Sequence, residues 1–92
     1  MIRVFVVYHE APDADRYARH VEFCNRIPGA TFRHGRVLRT LHGEPELHYY
    51  AEFEFPDMEA FQAVADSEEF RATGKDAADM GYPHSVYLAL VD

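Results

Sequence analysis

The chain has 92 residues, which is enough for one domain, and a domain of this size buries only about 60% of the surface that its unfolded chain exposes. Its 16 acidic and nine basic residues give a net charge of -7, so nucleic acids and anionic membrane surfaces are poor partners. Hydrophobic residues make up 48% of the chain, including seven Phe and six Tyr, and we expect part of this apolar surface to meet a second subunit.

The single cysteine, Cys24, cannot form an internal disulfide, and it cannot supply a thiolate cage for zinc. The N-terminal residues do not combine a basic region, an apolar stretch and a cleavage site, which together mark a secretion signal. We therefore expect a reducing, cytoplasmic location.

The N-terminal part of the chain predicts a strand followed by a helix. Residues 2–9, IRVFVVYH, form an almost unbroken apolar run that is typical of a strand buried on both faces. Asp13 is suited to cap a helix that ends before Pro28-Gly29. Four apolar residues of this helix have the spacing of a stripe that faces the core: Tyr17, Val21, Cys24 and Ile27.

The middle of the chain predicts two strands joined by a turn. Residues 31–41 form a second strand with several basic side chains, and residues 42–45, HGEP, form the turn. Residues 46–55, ELHYYAEFEF, alternate between apolar and polar side chains and predict a third strand. The apolar face of this strand should pack against the helices.

The C-terminal part predicts two helical segments and a fourth strand. Asp57 after Pro56 is suited to cap the first segment, and Ser67 marks a fresh helix start. The second segment should stop at Gly81, because Pro83 cannot continue a helix. Residues 84–91, HSVYLALV, then form the last strand.

The predicted order β-α-β-β-α-β, with the last helix in two pieces, is the ferredoxin-like arrangement. It is an α+β fold in which a four-stranded antiparallel sheet carries its helices on one face, and residues 1–92 form one such domain. The helices leave the other face bare, although the first and last strands read as apolar on both faces. Two copies packed sheet against sheet about a two-fold axis would cover it, so we expect a homodimer.

Three segments of the chain carry a family pattern. The opening strand ends in Tyr8, residues 20–29 (HVEFCNRIPG) place a histidine before a Pro-Gly turn, and residues 67–80 (SEEFRATGKDAADM) contain Asp76 and close with Met80. Together these segments resemble the EthD-like family of the dimeric α/β-barrel superfamily over nearly the whole chain. The resemblance implies a homodimer that forms a dimeric α/β barrel, in which each subunit has a pocket between its sheet and its helices.

The chain departs from the family pattern in the first helix. Glu22-Phe23 stands where the family usually has Pro-Leu, and the helix before His20 is shorter, which leaves only Tyr17 of the aromatic residues that normally precede the histidine. The resemblance therefore implies a pocket that is shallower or differently lined. It implies little about the reaction, because related dimeric barrels include isomerases, cofactor-free monooxygenases and haem-handling proteins.

His20 is the candidate catalytic residue. It follows Tyr17 by three residues and precedes Cys24 by four, so it lies within the apolar stripe of the first helix. Burial lowers the pKa of an imidazole and leaves it neutral, which suits a general base toward an acidic C–H or O–H of a small substrate. The alternative is a structural core histidine that bonds a carbonyl or a tyrosine. The resemblance favours the pocket role, because His20 falls on the family's helix histidine.

Four residues are candidates for contacting the substrate: Tyr8, Tyr17, Tyr49 and Asp76. Tyr49 lies on the helix-facing side of the third strand, and Tyr8 ends the first strand near the mouth of such a pocket, although packing alone is the alternative role for both. Asp76 matches the family's acidic residue late in the last helix, where it would raise the pKa of His20 and fix its tautomer, although a helix cap or a surface acid is the alternative. No two of the six histidines are spaced i, i+4, and there is no glycine-rich phosphate loop, so we expect no metal site and no cofactor.

The sequence therefore predicts a small homodimeric EthD-like protein that binds or transforms a small organic molecule. If it is an enzyme, the resemblance implies an isomerase or oxygenase type that works without a cofactor, with His20 as the acid-base group. The alternative is a non-catalytic dimeric module that binds a ligand or a partner protein, in which His20 is structural.

Overall fold

The computed structural model describes residues 1–92 as a four-stranded antiparallel sheet with three helices. The strands are β1 (Ile2–Tyr8), β2 (Thr31–Arg36), β3 (Tyr49–Phe55) and β4 (His84–Leu90), and the helices are α1 (Ala14–Cys24), α2 (Met58–Ala65) and α3 (Glu68–Met80). This order confirms the predicted ferredoxin-like fold, including the break between the last two helices. None of the three helices has the length and apolar character that would let it span a bilayer.

The strands lie in the order β2-β3-β1-β4, so β1 is central and both of its neighbours run antiparallel to it. This pairing aligns Tyr8 with Tyr49 on one side and with His84 on the other. Residues paired across antiparallel strands point to the same face of the sheet. The three aromatic side chains therefore stand in a row at one end of the face that carries the helices.

The helix starts follow from the capping residues that the sequence offers. The side chains of Asp13, Asp57 and Ser67 each accept a hydrogen bond from the backbone N–H three residues later, at 2.9, 2.8 and 3.1 Å. Helix α3 ends at Gly81, whose φ of 76° is in the left-handed region that glycine adopts without strain. These bounds confirm the predicted caps and the predicted stop.

Strands β2 and β3 are shorter than the sequence predicts, because residues 37–48 form a loop between them. One backbone hydrogen bond, from Val37 N–H to the His48 carbonyl at 3.0 Å, extends the pairing past β2. Beyond it the loop contains Gly43, which has a φ of 83°, and Pro45, which has no N–H to donate.

The core lies between the helices and the central strands. It comprises seven buried apolar residues: Ile2, Val4, Cys24, Ile27, Phe53, Phe55 and Val64. Phe55 is completely buried and meets the ring of Phe61 edge to face, with 5.6 Å between centroids. In the predicted stripe of α1, Val21 is only half-buried and His20 takes its place in the interior.

The face of the sheet that carries no helices is more polar than the sequence predicts. Arg3 of β1 lies opposite Glu54 of β3 and hydrogen-bonds it, and Arg33 of β2 bonds Glu52 at 3.3 Å. The prediction that β1 is buried on both faces is therefore wrong for the single chain. The physical reason is that Arg3, the one charged residue of β1, pairs with Glu52 and Glu54 of β3 on this face. Four larger apolar or aromatic residues flank this charged centre: Phe5, Val7, Tyr50 and Tyr87.

The position of Phe55 makes it a sensitive test of this core. We expect Phe55→Ala to lower the free energy of unfolding by about 3–5 kcal/mol, because it leaves a cavity among rigid neighbours. Urea denaturation followed by circular dichroism measures this change. Gln62→Ala, on the exposed side of α2, is the control and should change the free energy by no more than about 0.5 kcal/mol. Equal effects of the two substitutions would contradict this assignment of the core.

Candidate active site

A cavity of about 210 Å³ lies between the sheet and the helices. Strands β1, β3 and β4 and helices α1 and α3 contribute side chains to its wall, and most of these are apolar. Four of the lining residues carry polar side chains that could contact a ligand: Tyr8, His20, Thr73 and His84. A concave, mostly apolar space with a few convergent polar groups is the usual form of a small-molecule site.

His20 is held in this wall by a carboxylate on the neighbouring helix. It projects from α1 with only 4% of its surface exposed, and its Nδ1 lies 2.8 Å from Asp76 Oδ2 on α3. Arg16, one turn earlier on α1, donates two hydrogen bonds to the same carboxylate, at 2.7 and 3.2 Å. The i, i+4 spacing of Arg16 and His20 places both on one face of α1, so one acid binds them together.

The charges of this cluster determine the protonation of His20. The hydrogen bonds from Arg16, and then the one from His20, hold the pKa of Asp76 below its usual value, so Asp76 is ionised. Burial lowers the pKa of His20, and it outweighs the opposite effect of Asp76. The imidazole is therefore neutral at pH 7. Its Nδ1–H donates to Asp76, which leaves the lone pair on Nε2, and Nε2 forms no hydrogen bond within the chain.

A second histidine, His84, lines the same cavity. Its Nδ1–H donates to the backbone carbonyl of Tyr82 at 2.7 Å. The ring packs against Tyr8 with 5.5 Å between centroids. The sequence does not predict His84 as a site residue, because only the alignment of β4 with β1 brings it beside Tyr8. The sequence holds no local signal for that pairing.

Tyr8 and Tyr17 form an aromatic cluster beside His20. Their rings meet edge to face at 5.7 Å, and the Tyr17 ring lies 5.5 Å from that of His20. Neither hydroxyl has a hydrogen-bond partner in the chain. Burial raises the pKa of Tyr8 to about 12 and also raises the pKa of Tyr17, so both groups remain protonated donors. Of the two, only Tyr8 lines the cavity.

The structure places Tyr49 outside this cavity. The Tyr17 ring lies against it, with 4.7 Å between centroids, and stands between Tyr49 and the His20 cluster. The Tyr49 hydroxyl lies 2.8 Å from Nδ1 of His34, in a separate outer groove that Tyr17 also borders. Asp76 does not line the cavity either, but it contacts the site through His20.

Cys24 also lines the cavity, next to the apolar core. Burial raises the pKa of its thiol to about 12, so the group is protonated at neutral pH. A protonated thiol is a weak nucleophile. The nitrogen atoms of the two histidines are therefore the reactive groups of this cavity.

No family model matches the sequence, and no curated protein sequence is significantly similar to it. An EthD family protein from Bacillus halodurans has a structure with a TM-score of 0.83 and 20% identity, and the match covers 100% of this chain and 99% of that one. A dimeric ferredoxin-like protein of unknown function from Jannaschia has a TM-score of 0.75 and 19% identity, with 98% of each chain covered.

A hydroxynitrile lyase from Passiflora edulis has a TM-score of 0.78 at 13% identity, and the match covers 99% of this chain and 93% of that one. These identities are too low to transfer a reaction from one protein to another. They establish the fold: this chain folds like an EthD family protein and like dimeric ferredoxin-like proteins.

Burial and Asp76 have opposite effects on the pKa of His20, and titration can measure both. We expect the His20 ring to titrate below pH 6.5 in NMR spectra, and Asp76→Asn to lower the midpoint further, because it removes the groups that raise this pKa. Asp79→Asn, which affects an exposed acid paired with Lys75, is the control and should leave the midpoint unchanged.

The lowered pKa of His20 makes the stability of the fold depend on pH. The unfolded chain binds a proton at His20 near pH 6.5, whereas the folded chain does so only at lower pH, so the contribution of His20 to stability decreases as the pH falls below 6.5. A midpoint above 6.5 for His20 would contradict this description of the site.

Proposed function

We propose that this protein is an acid-base enzyme that works without a cofactor on a small, mostly apolar organic molecule, with His20 as the general base. One observation carries this proposal: a neutral, buried imidazole is fixed by an ionised carboxylate while its second nitrogen has no partner in the chain and its ring lines an apolar cavity. A histidine that served only to fill the core would be expected to bind a chain group through both nitrogens.

The cavity limits the substrate class. Its volume of about 210 Å³ is below the range of about 300–1,000 Å³ that is common for larger ligands, so the substrate has few non-hydrogen atoms. The polar side chains in the cavity wall are those of Tyr8, His20, Thr73 and His84, and the Thr73 hydroxyl already bonds two backbone carbonyls. The substrate therefore carries a weakly acidic C–H or O–H next to a polar atom, and the rest of it is apolar.

The proposed reaction begins with proton transfer to His20 Nε2. The imidazolium that forms is stabilised by Asp76, which already accepts the Nδ1–H bond, and Arg16 keeps Asp76 ionised. The Tyr8 hydroxyl, a protonated donor without a partner in the chain, would bind the oxygen on which negative charge develops. His20 then returns the proton to the product. A positioned base of this kind contributes about 10²–10⁴ in rate.

A named neighbour supports this class of reaction. The Passiflora edulis protein is called a hydroxynitrile lyase, so at least one protein with this fold is an enzyme. This support extends to the fold and to the possibility of catalysis, whereas the substrate of the present chain is inferred from its own cavity.

We also propose that the chain forms a homodimer. The neighbour from Jannaschia is described as dimeric, and several large apolar residues of β4 are exposed in the single chain.

The single buried cysteine and the absence of a disulfide suit a reducing, cytoplasmic compartment, which stays a prediction.

A base in an apolar cavity can be detected before the natural substrate is known. The probe is 5-nitrobenzisoxazole, a small apolar compound that loses its C3 proton to a base as its N–O bond breaks, giving a coloured nitrile phenolate. We expect the parent protein to accelerate this elimination, and His20→Asn to reduce the rate by about 100-fold or more. The rate of the parent should rise with pH and level off above the pKa of His20, because only the neutral ring accepts a proton.

His34→Asn is the matched control, because His34 is exposed on β2 and lines the outer groove rather than the cavity. It should leave the rate unchanged. Equal rates for the parent and for His20→Asn would contradict the proposed base. If the probe shifts the NMR signals of His20 and His84 but is not converted, the cavity is a binding site without this activity, and the non-catalytic alternative is favoured.

A further inference from the structure

Two apolar patches of the chain have no internal cover. The loop patch consists of Leu38 and Leu41, which are 90% and 87% exposed on the loop between β2 and β3. The β4 patch consists of Val86, Leu88 and Leu90, which are 58%, 51% and 71% exposed. Isolated exposed apolar residues are common, but clusters of large ones mark contact surfaces.

The two patches do not cover each other within one copy, because all five of their residues are more than half exposed. Strands β2 and β4 are the two edges of the sheet, and β3 and β1 lie between them. Neighbouring strands are about 4.8 Å apart, so the edges are separated by about 14 Å. The three residues of the β4 patch are also paired with alternate residues of β1 that are turned toward the helices, so the patch faces the helix side.

The β4 patch borders the cavity on a side where the lining residues are exposed to solvent. Val86 lines the cavity on β4, and Gly74 lines it on α3. Both residues are exposed, and a Cβ atom added at Gly74 would meet no atom within 4 Å. The cavity is therefore bounded on this side by two exposed residues with open space beside them.

We propose that a second copy of this chain closes this side of the cavity with its loop 37–48, packing its loop patch on the β4 patch. The inference rests on the proposed function in one respect, since it treats this cavity as the active site. The closed site would then contain residues from both copies, with Leu38 and Leu41 supplied by the partner copy.

A second copy fits these patches better than an unrelated partner. Under a two-fold axis, the loop patch of each copy meets the β4 patch of the other, so one contact made twice covers all four patches. An unrelated protein bound to one patch would leave the other exposed. The contact also protects the outer edge of β4, which has no strand paired with it.

Cross-linking between two variants tests this pairing directly. A Leu41→Cys chain and a Leu88→Cys chain of different tag length are mixed, exchanged by partial unfolding and refolding, and treated with a short bis-maleimide. We expect the mixed pair to give a covalent heterodimer in the largest yield. Each variant alone should give little, because like patches do not meet. The buried Cys24 of the parent should give none.

The matched control replaces Leu88→Cys by Met58→Cys, which lies at the start of α2 with 40% exposure and outside both patches. Equal yields with Met58→Cys, or preferential cross-linking of Leu41→Cys to itself, would overturn the pairing. A mixed pair that gives no covalent heterodimer would overturn it as well.

A second measurement uses sedimentation and does not depend on cross-linking. Leu41→Asp should raise the dissociation constant of the dimer at least tenfold and leave the far-UV circular dichroism unchanged, because the loop side chain has few contacts of its own. Met58→Asp should leave the dissociation constant within twofold of the parent value. A parent protein that stays a single subunit at all concentrations would overturn the inference, whereas loss of activity toward 5-nitrobenzisoxazole alone would bear only on the proposed function.

Discussion

The carboxylate of Asp76 is the interaction on which the site depends, because it joins the two helices that cover the sheet. From α3 it binds Arg16 and His20 of α1, so the position of one helix sets the orientation of a side chain on the other. A buried imidazole without such a partner would lose much of its hydrogen bonding and would be free to rotate. Arg16 has the complementary effect of keeping the acid ionised in a partly buried position. The site is therefore as rigid as the packing of α1 on α3.

The cavity exists because α3 presents small residues to the sheet. Thr73, Gly74 and Ala77 face a floor of strand residues, and none of them is long enough to reach it and fill the space. Protein interiors are normally packed to a density that leaves few voids larger than a water molecule. An apolar space of about 210 Å³ costs the chain stability, so this region resembles a binding site more than an imperfect core. These small residues also leave the cavity open to solvent on the β4 side.

The sequence predicts the elements of this protein better than it predicts their contacts. The caps at Asp13, Asp57 and Ser67 act within one turn of helix, so residue type and spacing are enough to place them. The site instead depends on which strands pair and on the distance between helices. His84 becomes a neighbour of Tyr8 only through the β1–β4 alignment, and no local pattern encodes that alignment.

Two further differences between the predicted and the observed site also arise from contacts between distant segments. Tyr49 is on the helix-facing side of its strand as the alternation predicts, yet the ring of Tyr17 separates it from the cavity, and ring packing is not visible in a one-dimensional pattern. Arg3 is a single charged residue in an otherwise apolar run. The run therefore predicts an apolar strand and does not indicate that Arg3 pairs with Glu54 on the neighbouring strand. Patterns that repeat along the chain are readable from sequence, whereas single contacts between distant segments require the fold.

The chemistry of His20 and the proposed closing of the cavity are connected through water. Burial already lowers the pKa of His20 more than Asp76 raises it, although the cavity of a single chain is open on the β4 side. Excluding more water from that side strengthens both effects, because a lower local dielectric disfavours a charged ring and also strengthens its attraction to a carboxylate. Before reaction the ring is neutral and desolvation dominates. Once it has accepted a proton it is a cation beside Asp76, and the attraction acts at the step where charge appears. A second copy that supplies apolar side chains at the rim would therefore favour the neutral base in the resting state, while Asp76 stabilises the charged intermediate.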